Sequence, residues 1–492
     1  MKKLFTLIVL FVFAGLTTLY AQTRVITGTI TSAVEGEGPI PGVTVQVKGT
    51  TIGALTDANG RYSINVPANA TTLVFSYIGM KSMEVDIAGR SVIDGVLESD
   101  LVGLDEVVVT ALGISREKKA LGYSVQDVTG DEIAKAKETN IINSLQGRVS
   151  GAVITSTSGA VGASSRIVIR GVSSLSGNNQ PLFVIDGIPM DNSNFGDTGT
   201  DGVNKGSGAA DINPDDIETL TVLKGANASA LYGSRASAGV IVVTTKKGRK
   251  GERLSVDINN TTTFETPLRL PDYQDSYGQG NGGAFSYVNG GGAGINDGVD
   301  ESWGPQLDIG LMIPQFTSID ANGVAQPAPW VSYPDNIKDF FDLGHTTSTN
   351  VSMTGGSEKS SFRLSFTNLD QKGMVPNTDY KKNTLAFNAT SNPVDKLTFS
   401  ATGNYVSAKS DNQPGYGYTA NNVMQQTLWA GRQVDWKALK AKQYNEDGSK
   451  FNWNHNYHNN PYTTLYENLN SLDRDRFIGN ASVNYQFTPW LS

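Results

Sequence analysis

Leu145-Gln146-Gly147-Arg148 opens the stretch that decides the fold; Ser158, Gly159 and Gly162 follow, then Arg166-Ile167-Val168-Ile169-Arg170-Gly171 and Pro181-Leu182-Phe183-Val184-Ile185-Asp186-Gly187-Ile188-Pro189. It continues through Ile212-Asn213-Pro214-Asp215-Asp216-Ile217-Glu218, Val222-Leu223-Lys224-Gly225 and Leu231-Tyr232-Gly233-Ser234-Arg235 into Val240–Lys247. Each apolar run is short, β-branched and bounded by Gly, Pro, Asn or Asp, the pattern of short buried strands. A compact mixed α/β domain is therefore expected here, with Pro181–Pro189 read as one strand.

The chain has 492 residues, 54 of them glycine, no cysteine, and a formal net charge of -8. Without cysteine there is no disulfide framework, no thiolate metal site and no thiol to carry a lipid. The acidic balance excludes nucleic acid as a partner, because a phosphate-binding surface needs a stripe of Lys and Arg. Lys2 and Lys3 precede an apolar run from Leu4 to Leu19, followed by Tyr20-Ala21-Gln22. That layout predicts a signal peptide over residues 1–21, cleaved after Ala21. No later apolar run is long enough for a membrane helix. A closed β-barrel stays possible, since pairing around a ring satisfies every backbone group.

After Gly248 the pattern changes to a sustained period of two. Phe362, Leu364 and Phe366 alternate with Arg363 and Ser365; Leu385 and Phe387 alternate with Ala386 and Asn388. Leu397 to Tyr405 and Phe477 to Phe487 continue the rhythm, with weaker strands expected near Leu254–Phe264 and Thr346–Thr354. Stretches of about ten residues with one apolar and one polar face match the lipid-facing and lumen-facing sides of a membrane barrel. The links alternate as well. Gly355–Ser360 and Asn392–Asp395 are short, whereas Glu265–His345 and Lys409–Asp473 are long. Short turns on one rim and long loops on the other are the outer-membrane layout. Tyr405, Tyr485, Phe487 and Trp490 lie near strand ends, where interfacial aromatics anchor. Six strands are too few to enclose a plug, since large plugged barrels use about 22, so an incomplete barrel is expected.

Residues 22–100 read as a small β-sandwich with strands at Val25–Ile30, Val43–Val47, Tyr62–Val66, Thr72–Tyr77, Met83–Ile87 and Val92–Leu97. Asp57-Ala58-Asn59-Gly60 is a turn without the further acidic ligands of a calcium loop. Within residues 101–118, Asp105-Glu106-Val107-Val108-Val109-Thr110-Ala111 sets an acidic pair before a β-prone core, with a polar stretch after it. Read alone, it is either a last strand of the sandwich or a segment that adds itself to a partner's sheet edge.

Chemistry-bearing clusters are few. His455 and His458 stand in an Asn-rich loop without a third ligand, so no metal site is expected. Gly278–Gly294 lacks the strand-then-helix context of a phosphate loop and reads as a flexible outer loop. No catalytic constellation and no cofactor motif is present, so an enzyme is not expected. Met190–Gly208 is rich in Asn, Asp and Gly, and Lys409–Asp473 carries Tyr416, Tyr418, Trp429, Trp436, Trp453, Tyr457, Tyr462 and Tyr466. Those aromatics suit sugar stacking or docking of another protein, and the two uses stay open.

The motifs from Leu145 to Lys247 closely resemble the plug of the SusC/RagA family of TonB-dependent outer-membrane importers, and the resemblance extends over almost the whole chain. It departs at Gly225, where many members carry an acidic residue. The resemblance implies a mainly β protein: a carboxypeptidase-regulatory-like sandwich, a TonB box and linker over 101–118, a plug over 119–248, and the first strands of an antiparallel transmembrane barrel over 249–492. It implies that Asp105–Ala111 binds a TonB-type energy-coupling protein on the periplasmic side. It implies pairing of Arg170 and Lys224 with barrel glutamates beyond Ser492, and an apical plug loop whose Asp191, Asn192, Asn194, Asp197 and Asn204 contact an oligosaccharide or peptide. A SusD-like surface lipoprotein as lid, contact with outer-membrane lipid and residence in the outer membrane of a Gram-negative bacterium follow from the same resemblance. The competing class is a surface adhesin or structural barrel without energised transport.

Overall fold

A computed structural model describes residues 23–33, 38–68, 70–77, 80–98, 107–109, 115–117, 125–156, 159–175, 179–195, 202–225, 227–419 and 421–492. The expected signal peptide lies outside them. The chain divides into two compact units, one holding the amino-terminal strands and the other running from Leu121 to Ser492 with Val108–Arg116.

In the first unit, β1 (Thr23–Ser32), β4 (Arg61–Pro67) and β7 (Gly95–Leu97) form one sheet in the order β4-β1-β7. β2 (Thr44–Val47), β3 (Gly53–Leu55), β5 (Thr72–Ser76) and β6 (Met83–Asp86) form the other, in the order β3-β2-β5-β6. Alternation decides which side chains go inward: Tyr62, Ile64 and Val66 join Val45, Val47, Leu73 and Phe75 in one core. Asp57 accepts the N–H groups of Asn59 and Arg61, each at 2.9 Å, and Gly60 takes φ 70°, so the carboxylate is used as a turn brace. The short strands β8 (Val107–Val109) and β9 (Ser115–Glu117) pair with each other.

The second unit begins with the α/β domain expected from its motifs. Its sheet runs β10-β16-β17-β13-β14, with β10 (Val125–Thr129) at one edge, then β16 (Ile217–Leu223), β17 (Val240–Thr245), β13 (Leu182–Ile185) and β14 (Ile188–Met190). A separate hairpin pairs β11 (Ala152–Ser156) with β12 (Ser165–Ile169). Ile141, Leu145, Ile167, Phe183, Val222 and Ile241 share one core. Pro181–Pro189 is not one strand. Asp186 and Gly187 take φ 46° and 88°, the positive values that a two-residue hairpin turn requires, and fold β14 back on β13. Asp186 then accepts the Thr245 N–H at 3.0 Å and its hydroxyl at 2.6 Å, tying the turn to β17.

Around this domain stands a six-stranded antiparallel sheet: β18 (Ser255–Glu265), β21 (Gly344–Gly356), β22 (Ser360–Lys372), β23 (Asp379–Val394), β24 (Leu397–Ser410) and β26 (Leu472–Tyr485), in sequence order. Its burial is inverted relative to a water-soluble sandwich. Ser365 and Thr384 are each 1% exposed on the inner face, whereas Phe477 and Val483 on the outer face are 64% and 66% exposed. Phe362, Leu364, Phe366, Leu385 and Phe387 also point outward. A polar face turned to protein and an apolar face turned outward suit a wall between a hydrated lumen and lipid. Paired residues share a face, and because β22 and β23 pair odd numbers with even ones, the inward set is odd-numbered on β22 and even-numbered on β23.

The long links fold together. Residues 266–343 contain the hairpin β19 (Met312–Ile319) and β20 (Ala325–Pro329), and residues 411–471 contain the helices Val423–Trp429, Trp436–Ala441 and Pro461–Glu467. Both contribute to one core in which Phe285 stacks on Trp330 at 5.0 Å and Phe340 meets Trp436 edge-on at 5.2 Å. Trp436, Trp453 and Tyr462 are buried there and are unavailable for sugar stacking or docking, while Tyr418, Tyr457 and Tyr466 are exposed.

Gly278–Gly294 is likewise a built structure, against the expectation of a flexible loop. The fully buried Asp297 carboxylate accepts the N–H groups of Val288 (2.9 Å), Asn289 (3.0 Å), Gly290 (3.0 Å) and Gly292 (2.9 Å). Burial works against its ionisation, yet the converging N–H donors outweigh that and hold the carboxyl below its ordinary value. The Asn- and His-rich segment seals against this loop: His455 N–H donates to Gly290 O at 2.8 Å, Asn454 Nδ2 to Val299 O at 3.1 Å, and His458 Nε2 lies 2.9 Å from Asp300.

Asp297→Ala removes the carboxylate on which four N–H groups converge, and leaving the buried one, that of Gly290, unsatisfied costs about 1–3 kcal/mol. The loop body is expected to become protease-sensitive between residues 278 and 300 while the sheet keeps its strand signal in circular dichroism. His455 and His458 give a pH dependence. Burial pushes both below the usual histidine value of 6.5, with Lys450 adding to it at His455 and Asp300 opposing it at His458. The unfolded imidazoles therefore bind protons more readily than the folded ones. Stability is full above about pH 6.5 and falls as the pH drops through the folded values. Thermal melts across that range are expected to show the loss, and the double variant His455→Asn/His458→Asn a flatter profile.

Candidate functional site: the plug against the sheet wall

The inner domain meets the wall chiefly through two 3-10 turns, Gly208–Asp211 and Pro214–Asp216. Local sequence sets the second: Asn213 Oδ1 accepts the Asp215 N–H at 3.3 Å, and Pro214 occupies the first turn, where its missing N–H costs nothing. This presents Asp211, Asp215 and Asp216 outward from the domain, all of them buried. A buried carboxylate needs a cation or several donors. Asp216 pairs with Arg363 of β22 at 2.7 Å and accepts Asn213 Nδ2 at 2.6 Å; Asn213 also donates to Thr367 Oγ1 at 2.8 Å. Asp215 pairs with Lys137 at 3.1 Å and accepts Asn259 Nδ2 of β18 at 3.2 Å. Asp211 binds Arg474 and, at 3.2 Å, Arg476, both of β26, while Lys382 of β23 donates to Ala210 O at 2.7 Å.

Further fastenings reach the same half of the domain. Val161 enters an apolar cluster with Leu369, Tyr380, Ala408 and Leu472. Gly162, at φ 65°, lies so close to the Tyr380 ring that a Cβ would stand 2.8 Å from it. The Arg474 guanidinium lies 4.0 Å from the Phe195 ring centroid. β15 (Gly202–Val203) pairs with β25 (Gly415–Tyr416) of the second long loop, and Lys205 Nζ donates to Ser471 O at 3.0 Å.

The residues singled out by sequence are placed as follows. Lys224 Nζ donates to Gln126 Oε1 at 2.7 Å, Ser150 O at 2.8 Å and Ser150 Oγ at 3.0 Å, all within the domain. Burial, and then the neighbouring Arg170, push this ammonium below the ordinary lysine value. Arg170 Nη1 donates to Lys224 O at 3.4 Å. The glutamates expected to pair with these two cations belong to strands beyond Ser492; the ion pairs seen between domain and wall are a separate set, with acids on the domain and bases on the wall. Arg363, Arg474 and Arg476 were legible as bases at inward positions of alternating strands, and Asn213–Asp216 as a capped acidic turn.

Among the expected substrate contacts, Asp191 accepts the Ser193 N–H at 2.8 Å, and Asn192 Oδ1 accepts the Ala209 N–H at 2.7 Å. Asn194 bridges to Ser207. Asn204 is buried and bound to Ser164 and Gly206. These groups brace the segment they sit in; Asp197 lies outside the described residues. Val107–Val109 of the expected coupling segment form β8, while Asp105, Glu106, Thr110 and Ala111 lie outside them. Among the described residues no group of three or more His, Asp or Glu could hold a metal ion.

Residues 117–240 match the TonB-dependent Receptor Plug Domain, and residues 26–109 match the CarboxypepD_reg-like domain. The TonB-dependent receptor SusC of Bacteroides thetaiotaomicron is 30% identical over 95% of the chain. The chain belongs to the SusC/RagA family. It spans 43% of that receptor's length, and 41% of TonB-dependent receptor P26 of Formosa agariphila, to which it is 31% identical over 95% of itself. It is also similar to a structure of the RagAB peptide importer in the 'open-open' state, with 23% identity and a TM-score of 0.48 over 64% of this chain and 33% of that one. The inner domain is thus the plug, and the acid-to-base seam is this SusC/RagA-family chain's fastening of plug to wall.

Arg363→Ala leaves Asp216 buried without its cation, a loss of about 3–5 kcal/mol. Removing both charges together, as Arg363→Met/Asp216→Leu, is expected to recover most of it. Thermal unfolding of the four-member mutant cycle in detergent micelles checks this.

Proposed function

We propose that this chain forms the amino-terminal part of a TonB-dependent outer-membrane importer. Its segments are a signal peptide over 1–21, a sandwich over 22–100, a coupling segment over 101–118, the plug over 119–248 and barrel strands over 249–492. The observation that carries the reading is the wall itself: a plug domain fastened by ion pairs to the polar face of a sheet whose other face is apolar and exposed. A polar lumen blocked by a folded domain is of use only if something moves the domain. Asp105–Ala111 is the segment through which a TonB-type protein in the periplasm does so, by pairing with its β-prone core. The short turns then face the periplasm and the long loops face outward, in the outer membrane of a Gram-negative bacterium.

The nutrient is an oligosaccharide or a peptide, as the likeness to the TonB-dependent receptor SusC leads us to expect. A SusD-like lipoprotein docks over the outer loops, where Tyr418, Tyr457 and Tyr466 are exposed. Arg170 and Lys224, already close together in the plug, face glutamates on other barrel strands; the segment from Asp191 to Asn204 lies at the outer end of the plug, near the nutrient. No covalent chemistry is required of any residue.

Deletion of Asp105–Ala111 from the full-length protein tests this. Energised uptake of the nutrient on which the intact gene supports growth is expected to vanish, with normal insertion and heat-modifiability in the outer membrane. Unchanged uptake would instead favour a structural barrel or adhesin.

A further inference from the structure

A polar pocket of about 170 Å³ lies in the second long link, where that link meets the plug. Asn412, Asn421, Asn468, Asn470 and Thr464 surround it, with Leu465 and Leu469 as apolar edges. We infer that this pocket seats one uncharged sugar ring of the solute and rejects rings that carry a carboxylate or a sulfate. The inference rests on the importer reading and adds to it a site and a selectivity.

Three observations carry it. First, the walls are held in place. The segment 412–416 is fixed to the plug by the β15–β25 ladder and by Gln413 Nε2, which donates to Val161 O at 3.3 Å. Asn412 spends its side chain on structure: Nδ2 donates to Asn377 O and to Leu465 O, each at 3.0 Å, and Oδ1 accepts the Asn470 N–H at 3.1 Å. The helix Pro461–Glu467, which supplies Thr464 and Leu465, is anchored by the fully buried Asn460. Its Nδ2 donates to Phe451 O at 3.0 Å, and its Oδ1 accepts the Tyr462 N–H at 2.9 Å. Walls held this way need no reordering when a ligand enters.

Secondly, hydrogen-bonding groups are left over. Thr464 is 5% exposed, and its hydroxyl has no partner among the described residues. A buried hydroxyl is costly to leave unpaired, so its partner is what enters the pocket. The side-chain amides of Asn421, Asn468 and Asn470 make with one another only contacts of 3.5 Å, from Asn468 Nδ2 to Asn421 Oδ1 and from Asn470 Nδ2 to Asn468 O. These lie at the outer limit of hydrogen bonding and exchange readily for better ones. Each amide offers a donor beside an acceptor, which suits the neighbouring hydroxyls of a sugar ring, since every hydroxyl both donates and accepts.

Thirdly, among the described residues no acid or base lines the pocket. Lys205 of the plug is engaged by Ser471 O at 3.0 Å and is not part of the lining. The nearby Asp379 carboxylate accepts the N–H groups of Asp411 and Asn412 at 2.8 and 3.4 Å. A carboxylate or sulfate seated here gives up its hydration for neutral partners alone, a net loss. A neutral ring exchanges bonds to water for bonds to amides and sets its C–H face against the exposed Leu469.

Saturation-transfer NMR on the purified full-length protein, in micelles of a sugar-free detergent, tests this. The probes are methyl β-glucoside, methyl β-galactoside, methyl α-mannoside, methyl β-glucuronide and the dipeptide glycyl-glutamine. At least one neutral glycoside is expected to bind at millimolar concentration, and the glucuronide to give no signal. Thr464→Val keeps the side chain's shape and removes the unpaired hydroxyl. It is expected to weaken the neutral glycoside about tenfold, the worth of one hydrogen bond, while the melting temperature holds or rises. A purely structural hydroxyl predicts the reverse, a lower melting temperature with binding unchanged. Should Thr464→Val lower the melt as well, Asn421→Leu on the exposed rim decides, with weaker binding and an unchanged melt expected. Binding by none of the neutral glycosides, glucuronide binding as strong as theirs, or neutral binding untouched by the deciding variant would overturn the inference. A signal from glycyl-glutamine alone would make the pocket a peptide subsite and overturn it too. Each of these failures leaves the importer reading standing, because that reading is decided separately by uptake after deletion of Asp105–Ala111.

Discussion

Everything in the larger unit depends on how one carboxylate, Asp216, is kept out of water. It is buried on the plug and meets Arg363 at 2.7 Å on the wall. An ion pair so placed adds little net stability compared with an apolar contact, but breaking it is expensive, because the abandoned charge cannot reach solvent. That asymmetry suits a removable stopper. It fixes the plug's position without a large hydrophobic interface, and the seam rehydrates if the domains part. An apolar interface of similar area would hold as well but would expose greasy surface to the lumen whenever it opened.

The wall obeys the complementary constraint. Ser365, Thr384 and Asn388 are buried against the plug, and Phe362, Leu364 and Phe387 face away. This sheet cannot be stable in water as it stands, because its exposed face is the apolar one. The same alternation that fills the lumen with polar groups makes the outside a surface for hydrocarbon, so the plug's seat and the membrane's contact are set by one repeating pattern.

Alternation is also why so much of this architecture was legible beforehand. A period of two assigns each residue of β22 or β23 to a face, and the expected strands lie within a few residues of those formed. What stayed hidden has long-range causes. The Asp186-Gly187 turn is a local signal that was overlooked, but nothing near Asp297 announces that four N–H groups converge on it. Trp453 reads as a loop aromatic until Tyr287, 166 positions earlier in the numbering, is seen bonding to the neighbouring Asn452 carbonyl. The seam was missed for the same reason. Sequence marks Asp216 and Arg363 as polar, and only the fold brings residues 147 positions apart to one point.

The ladder between β15 and β25 joins two residues of the plug to two residues of an outer loop more than 200 positions away. Closing so long a loop has an entropic cost that two hydrogen-bonded residues cannot offset by themselves; each doubling of length adds about 0.6 kcal/mol. The ladder can form only after the plug is seated and the intervening strands have paired. Closure of this ladder is thus a late event of assembly, and a chain whose plug is not seated keeps the loop edge at Gly415–Tyr416 unpaired.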